Sequence, residues 1–126
     1  MQILLVDDDP LAGALAAAIL EEDGHEIVLA ENALEAMEQL NGNRNIGLIV
    51  CDMNMPLMDG LELFAELRAQ NNQLPFILLT GDDPATLCRR EPRLDDCLLK
   101  DADLEQTLPR AVRRAGAGQT PPGNRP

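Results

Sequence analysis

The chain has 126 residues, a length that predicts one domain, and its 10 basic and 22 acidic residues give a net charge of -12. So acidic a chain is not expected to hold nucleic acid or an anionic membrane through its overall field. Hydrophobic residues make up 45% of the chain, enough for a sizeable core, but two phenylalanines are the only aromatic residues, which excludes a stacking platform for single-stranded nucleic acid.

The three cysteines are odd in number and have no paired spacing, which predicts reduced thiols and not a disulfide framework or a zinc site. The N-terminus lacks the basic region of a signal peptide. The longest apolar stretch, residues 11–20, is about half of the roughly 20 residues that a membrane-spanning helix needs. These features predict a soluble, cytoplasmic protein.

Short apolar runs alternate along the chain with longer amphipathic ones, which predicts alternating strands and helices. Asp9 and Asn32 stand where the N-caps of the first two helices are expected, and Gly24 stands where the first helix should end. In chain order the predicted elements are a strand at 3–6, a helix at 11–22, a strand at 27–30, a helix at 33–40, a strand at 46–51, a helix at 61–70, a strand at 76–79 and a strand centred on 98–99.

The pattern is less regular after the fourth strand. Pro92 limits a fourth helix to about two turns. Pro109 is expected to be the first residue of the last helix, which follows a separate turn at 103–107 and runs to the end of the domain. The Gly- and Pro-rich composition of residues 117–126 predicts a flexible tail or truncated linker after a domain spanning 1–116.

Alternation of strand and helix at this spacing implies right-handed crossovers and a parallel sheet with helices on both faces. Five strands in this length fit an α/β, flavodoxin-like doubly wound sheet with strand order 2-1-3-4-5. Ligands of such sheets bind at the carboxyl ends of the strands, beside the switch point between strands 1 and 3. The residues that follow each strand are therefore the candidates for function.

Three aspartates follow neighbouring strands: Asp7 and Asp8 follow strand 1, and Asp52 follows strand 3. Carboxylates that converge there repel one another unless a cation neutralises them, and hard oxygen ligands suit Mg²⁺. Strand-end aspartates can also serve only as caps or loop residues, which is the interpretation favoured for Asp9 and left open for the Asp7–Asp8 pair. Asp52 is harder to dismiss, because it ends the most apolar strand.

Two further groups stand at strand ends. Thr80, followed by Gly81, ends strand 4, and Lys100, the only lysine, ends strand 5. Taken singly, each has an ordinary structural explanation, but together with the aspartates they close four of the five strands. A carboxylate can act as a nucleophile toward phosphorus, and phosphoryl transfer needs mainly positioning and charge neutralisation. Mg²⁺ held by Asp8 and Asp52, with Lys100 and Thr80 on the other phosphoryl oxygens, would supply both.

Four segments, ILLVDDDP, IVCDMNMPLMDG, FILLTG and LLK, resemble in their order and spacing the receiver domain of bacterial two-component response regulators. The resemblance covers about residues 2–116. It implies that Asp52 is the phosphoacceptor, that Asp8 binds Mg²⁺ directly and that Asp7 acts through water. It further implies that Thr80 moves onto the phosphoryl group and that Lys100 pairs with it.

The resemblance also assigns roles to the residues just beyond the strand ends. The backbone carbonyl of Asn54 would be the third protein ligand of Mg²⁺. The backbone N–H groups of Met53 and Gly81 would lie near the phosphoryl oxygens. Asn54 and Asp82 would line the route of the attacking water and set the lifetime of the phosphorylated state.

The sequence departs from the family pattern near strand 5. Asp101 replaces the usual proline after Lys100, and a trans peptide bond is expected there. Cys97 occupies the position of an aromatic switch residue, so the usual coupling of that ring to Thr80 is in doubt. Together with the short fourth helix, these changes fall on the face that often carries the output of receivers.

The leading hypothesis is a signalling phosphoacceptor, not a conventional enzyme. It would take a phosphoryl group from a sensor histidine kinase or histidine phosphotransfer protein, lose it slowly by self-catalysis, and signal to an output domain or partner protein. A protein-interaction module that works without phosphorylation is the alternative. A Mg²⁺-dependent phosphohydrolase is disfavoured, because Asn54 stands where such an enzyme needs a second acid.

Overall fold

A computed structural model describes residues 1–117 of the chain. Five strands alternate with five helices, and the strands form one parallel sheet in the order β2-β1-β3-β4-β5. The elements are β1 Gln2–Val6, α1 Pro10–Glu22, β2 Glu26–Ala30, α2 Ala33–Gly42, β3 Ile46–Asp52, α3 Gly60–Ala69, β4 Phe76–Thr80, α4 Pro84–Arg90, β5 Asp96–Leu99 and α5 Leu104–Ala117. The predicted flavodoxin-like α/β fold is confirmed.

Local signals fix the first helix at both ends. The Asp9 side chain accepts a hydrogen bond from the Leu11 N–H, and Pro10 occupies the first helical position. At the other end Gly24 adopts φ +90°, and the N–H groups of Gly24 and His25 donate to carbonyls of the last turn. This glycine-terminated end is a Schellman motif, as the sequence predicts for Gly24.

The sheet is buried on both faces by the helices. One face packs with α2, α3 and α4 residues and contains the edge-to-face pair of Phe64 and Phe76, whose ring centroids lie 5.2 Å apart. The opposite face packs against α1 and α5. The central strand β3 has six buried residues out of seven, ending with Asp52. The continuous apolar run therefore became the doubly covered strand of the sheet.

The last helix differs from its prediction. α5 is continuous from Leu104, and Pro109 lies inside it, so the separate turn at 103–107 is wrong. Proline removes only one hydrogen bond, the one to the carbonyl four residues earlier. The buried positions Leu104, Leu108 and Val112 keep helical spacing through Pro109, so core packing outweighs the lost bond.

The other outcomes are closer to expectation. α4 has two turns, as predicted, whereas α2 is two residues longer than predicted and ends at Gly42. The Lys100–Asp101 peptide bond is trans, in line with its prediction, since residues 1–117 contain no cis bond. No helix within those residues is long and apolar enough to cross a membrane. The predicted tail lies outside the described residues.

Candidate functional site

The predicted strand-end residues meet at the carboxyl edge of the sheet. Asp7 directly follows β1, Asp52 is the last residue of β3, Thr80 is the last residue of β4 and Lys100 directly follows β5. The parallel register of the central strands places these ends side by side. Residues far apart in the chain thus share one edge because the topology brings parallel strands to the same end.

Three carboxylates form an acidic cluster at this edge. Ligand oxygens of Asp7, Asp8 and Asp52 all lie within 4.8 Å of one another. Asp7 and Asp52 are buried, with 5% and 6% of their surface exposed, whereas Asp8 is exposed to solvent. This donor set fits a hard divalent cation, which would enter from the Asp8 side and neutralise carboxylates that otherwise repel one another.

Lys100 joins the cluster from the end of β5, at the same edge of the sheet. Its Nζ lies 3.1 Å from Asp7 Oδ2 and 3.2 Å from Asp52 Oδ1. The backbone N–H of Lys100 donates to the Thr80 carbonyl at 2.7 Å, which fixes the start of its side chain beside β4. One ammonium thus faces three carboxylates, and the site has an excess of two negative charges that a divalent cation would balance.

Opposing effects act on the pKa of the Asp52 carboxyl. Burial raises the pKa of the Asp52 carboxyl, and the charge of Asp7 raises it further, while the Lys100 ammonium and a backbone hydrogen bond from Asn54 oppose this shift. Burial lowers the pKa of Lys100, but its contacts with Asp7 and Asp52 outweigh burial and leave that pKa above its ordinary value. The ammonium therefore stays charged, and added positive charge would favour the ionised form of Asp52.

The two backbone amides that follow Asp52 play different parts. The Met53 N–H donates to the Leu79 carbonyl at 2.8 Å, so it continues the sheet ladder. A backbone hydrogen bond from Asn54 contributes to lowering the pKa of the Asp52 carboxyl. The approach of the Met53 N–H to a phosphoryl oxygen stays a prediction.

Thr80 is almost completely buried, and its Oγ1 accepts a hydrogen bond from the Asp82 N–H at 3.0 Å. Asp82 is exposed in the loop that leads to α4. Beside Gly81 the space is open, since a Cβ there would meet no heavy atom within 4 Å. Cys97 lies apart from the carboxyl edge, buried between β5 and α4. The Thr80 loop therefore has room to rearrange, whereas Cys97 belongs to the core.

Gly60 supports the backbone of Asp52, a role that the sequence did not indicate beyond the start of α3. Its N–H donates to the Met53 carbonyl at 2.9 Å. A Cβ at this position would lie 2.8 Å from the Asp52 carbonyl oxygen and 2.5 Å from Leu78 Cδ2. Helix α3 can approach the end of β3 this closely only because residue 60 has no side chain.

The Gly60→Ala substitution is expected to lower the free energy of unfolding by about 1–3 kcal/mol, because overpacking displaces rigid backbone at the end of β3. Urea unfolding followed by far-UV circular dichroism measures the change. Gly42→Ala is the matched control, since a Cβ at the end of α2 meets nothing within 4 Å. Equal stability of the two variants would contradict the close approach.

The exposed carboxylate of the cluster gives a test of cation binding. Asp8→Asn is expected to weaken Mg²⁺ binding roughly tenfold to hundredfold, because it removes one anionic ligand. Isothermal titration calorimetry is the suitable measurement, since the chain has no Trp or Tyr to report binding by fluorescence. Asp9→Asn is the control. Its new amide can still cap α1, and only a small loss of Mg²⁺ affinity is expected. Equal losses in both variants would assign the effect to general charge.

Comparison with known proteins identifies the family. Residues 3–112 match the family model described as the response regulator receiver domain. The chain therefore belongs to the family of response regulator receiver domains, which confirms the resemblance found in the sequence. The curated relatives are named as transcriptional regulatory proteins and response regulators.

One such relative is the transcriptional regulatory protein CpxR homolog of Haemophilus influenzae, 34% identical over 121 residues, which cover 92% of this chain and 52% of that protein. The response regulator MprA of Mycobacterium sp. is 33% identical over 126 residues, or 96% of this chain and 54% of that protein. The chain thus spans about half the length of these relatives.

Solved structures show the same fold. The response regulator TrrA from Thermotoga maritima, solved in complex with Mg²⁺-BeF, is 31% identical and superposes with a TM-score of 0.79 over 90% of this chain and 97% of that chain. The signal receiver domain of a signal transduction histidine kinase from Syntrophus aciditrophicus is 32% identical, with a TM-score of 0.81 over 96% of this chain and 95% of that chain.

Proposed function

We propose that this chain is a phosphoacceptor in a two-component phosphorelay, phosphorylated on Asp52 with the help of Mg²⁺. The observation that carries the proposal is the buried Asp52 carboxylate, 3.2 Å from the Lys100 ammonium and clustered with Asp7 and Asp8. The donor is a phosphohistidine on a sensor histidine kinase or histidine phosphotransfer protein. The setting is the cytoplasm, and the response passes to an output domain or partner protein.

The reaction needs one nucleophile and charge neutralisation. A carboxylate oxygen of Asp52 forms a bond to phosphorus while the bond between phosphorus and the donor imidazole nitrogen breaks. The electron pair of the broken bond stays on the imidazole, which then takes a proton from solvent. Lys100, already held by Asp7, stands beside the acceptor oxygen, where it offsets the charge of the incoming phosphoryl oxygens.

Mg²⁺, when bound, supplies further positive charge to the phosphoryl oxygens. Asp8 and Asp52 would hold it directly, Asp7 would act through water, and the carbonyl of Asn54 would complete the protein ligands. The backbone N–H groups of Met53 and Gly81 would lie near the phosphoryl oxygens, and the Asn54 N–H, whose hydrogen bond helps to lower the pKa of Asp52, would join them.

Thr80 links the modified site to the rest of the domain. Its hydroxyl oxygen is engaged by the Asp82 N–H, and moving onto the phosphoryl group would break that bond and rearrange the loop before α4. Such a movement shifts the balance between two conformations of the output face. Water attack on phosphorus later releases inorganic phosphate and restores Asp52, at a rate that Asn54 and Asp82 help to set.

Acetyl phosphate tests this proposal without a cognate kinase. Incubation of the full chain with acetyl phosphate and Mg²⁺ is expected to add one phosphoryl group, seen as a single adduct in the intact mass. Tryptic mapping should place it on the peptide 45–68, which contains Asp52. Little adduct should form in EDTA, and an absent adduct under all conditions would contradict the proposal.

The alternative, an interaction module that works without phosphorylation, is favoured by one observation. Cys97 replaces the aromatic residue with which related domains report the movement of the threonine, and it is fixed in the core between β5 and α4. That module would bind its partner equally well before and after treatment with acetyl phosphate. A third class, the phosphohydrolase, would release phosphate from small esters over many turnovers.

A further inference from the structure

An apolar groove lies between the start of α2 and the loop that joins β3 to α3. Its volume is about 340 Å³. Apart from one asparagine, the residues that line it are apolar: Ala33, Leu34 and Met37 of α2, and Pro56, Leu57 and Met58 of the loop. Leu34 and Leu57 are among the large hydrophobic residues that the fold leaves exposed. The groove shares none of its lining residues with the acidic site.

Leu57 stands at this groove at a cost to the backbone. It has φ +71°, and the Met58 N–H donates to the Pro56 carbonyl at 2.8 Å across it. Such a three-residue turn is strained for a residue with a large side chain, and glycine or asparagine adopts it more readily. The Leu57 side chain is fully exposed among the described residues, so it gains no burial there to offset the strain. The exposed leucine therefore points to a contact outside the domain.

The walls of the groove limit what can fill it. They are side chains of a helix and a turn, so they offer no strand edge with which an extended segment could pair its backbone. An α-helix satisfies its own backbone groups and can lay an apolar stripe into a groove of this kind. Met37 and Met58 have flexible side chains that can adapt to such a stripe. The groove therefore suits an amphipathic helix.

The surroundings of the groove are acidic. Glu35, Glu38 and Asp59 each directly follow a residue that lines it. Arg44 and Arg68 are the only arginines or lysines before residue 89, and neither of them lines the groove. A helix that carries lysine or arginine beside its apolar stripe would be attracted to this surface, whereas an acidic helix or an anionic membrane would be repelled.

We propose that this groove is a docking surface for a basic amphipathic helix of a partner protein. Apolar side chains of that helix would cover Leu34 and Leu57, and its cations would meet the acidic residues beside them. The inference goes beyond the phosphoacceptor role, because no residue of the groove takes part in that chemistry. Docking should therefore not depend on Asp52.

A model peptide tests the surface by NMR spectroscopy. The probe is a short amidated peptide with leucine at helical spacing and lysine elsewhere, added to the full chain labelled with ¹³C in its methionine methyl groups. The chain has five methionines, of which Met37 and Met58 line the groove, while Met1 is exposed at the opposite edge of the sheet. The peptide should shift the Met37 and Met58 signals and leave the Met1 signal in place.

Two results of this titration would overturn the inference. One is a peptide that binds without shifting either groove methionine, because it would then occupy another surface. The other is a shift of Met37 and Met58 that a higher concentration of the chain alone produces, because a second copy would then be the occupant. Single substitutions of each methionine with leucine assign the five signals.

Variants separate docking in the groove from general attraction to an acidic chain. Leu57→Asn should weaken peptide binding about tenfold, as expected for the loss of one buried leucine side chain. Leu11→Asn is the matched control, since Leu11 is also highly exposed but lies on α1, outside the groove. It should bind as the wild type does. Equal affinity of all three chains would overturn the inference.

The stability of Leu57→Asn checks the reason given for the leucine. Asparagine tolerates a positive φ, so the variant should unfold at a slightly higher urea concentration than the wild type. A lower midpoint would mean that Leu57 serves the fold, and would overturn the inference. Asp52→Asn should bind the peptide as the wild type does. A chain that binds the peptide in the groove but is never modified by acetyl phosphate would refute the proposed function and leave the docking surface standing.

Discussion

Replacing Asp52 with asparagine is expected to abolish the phosphoryl adduct that acetyl phosphate forms with the wild-type chain. Asparagine has nearly the same shape as aspartate, so the fold should persist, but its amide has no anionic oxygen to attack phosphorus. Intact mass measurement of the variant, under the conditions that label the wild type, is the test. Far-UV circular dichroism should show unchanged secondary structure.

Asp59→Asn is the matched control for this loss. Asp59 stands in the same β3–α3 loop and caps α3 through a hydrogen bond from the Glu62 N–H, a role that asparagine can also fill. The Asp59→Asn variant should form the phosphoryl adduct as the wild type does. An adduct that persists in Asp52→Asn would mean that another carboxylate accepts the phosphoryl group, and the assignment of Asp52 would be wrong.

The same Asp52→Asn variant should be more stable than the wild type when no divalent cation is present. Burial is the main reason that the pKa of Asp52 is raised in the folded chain. Folding thus favours the protonated form of Asp52. The stability that this protonation contributes is present at low pH and is lost as the pH rises through the folded-state pKa of Asp52. At neutral pH the substitution removes an unfavourable charge, with an expected gain on the order of 1 kcal/mol.

Much of this architecture was readable from the sequence because local and long-range signals agree. Asp9, Asn32 and Gly24 are helix boundaries whose side chain or backbone freedom acts within a few residues. The apolar run that ends at Asp52 is long enough to mark a strand covered on both faces. Once five parallel strands were assigned, the edge at which Asp52 and Lys100 meet followed from topology.

What the sequence could not show depends on contacts between distant elements. Pro109 carries a local signal for the start of a helix, but the burial of α5 against the sheet overrides it. Gly60 is an ordinary first helical residue until the end of β3 is placed against it. Each case needs a three-dimensional neighbour that no spacing rule supplies.

The buried carboxylates of the acidic site lower the stability of the metal-free domain, and for that reason the site can respond to a bound cation. Lys100 pairs with Asp7 and Asp52, two of the three clustered carboxylates, and burial disfavours the charged form of Asp52. A group in such a position has a large differential affinity for positive charge, so binding a cation can shift the equilibrium of the whole domain. The same reasoning makes Lys100 the residue on which the metal-free site most depends.

Substitution of Lys100 with methionine is expected to lower the free energy of unfolding at neutral pH, without metal, by about 3 kcal/mol. The variant leaves Asp7 and Asp52 buried and unpaired, where Nζ now lies 3.1 Å and 3.2 Å from their oxygens. Without the ammonium, which lowers the pKa of Asp52, that carboxyl should bind a proton more readily in the folded chain than in the unfolded chain. The loss should therefore shrink as the pH falls, which urea unfolding at several pH values can measure.

A double substitution separates this electrostatic account from simple loss of packing. In the chain that combines Lys100→Met with Asp52→Asn, the unpaired charge of Asp52 is gone while that of Asp7 remains, so part of the stability lost with Lys100 should return. Lys100→Arg, which keeps the charge, should lose less than Lys100→Met, and Mg²⁺ should restore part of the loss in the single Lys100→Met variant. If the two single effects simply add, with no dependence on pH, the Lys100 ammonium is a surface group and not the counter-ion that allows three carboxylates to share the edge of the sheet.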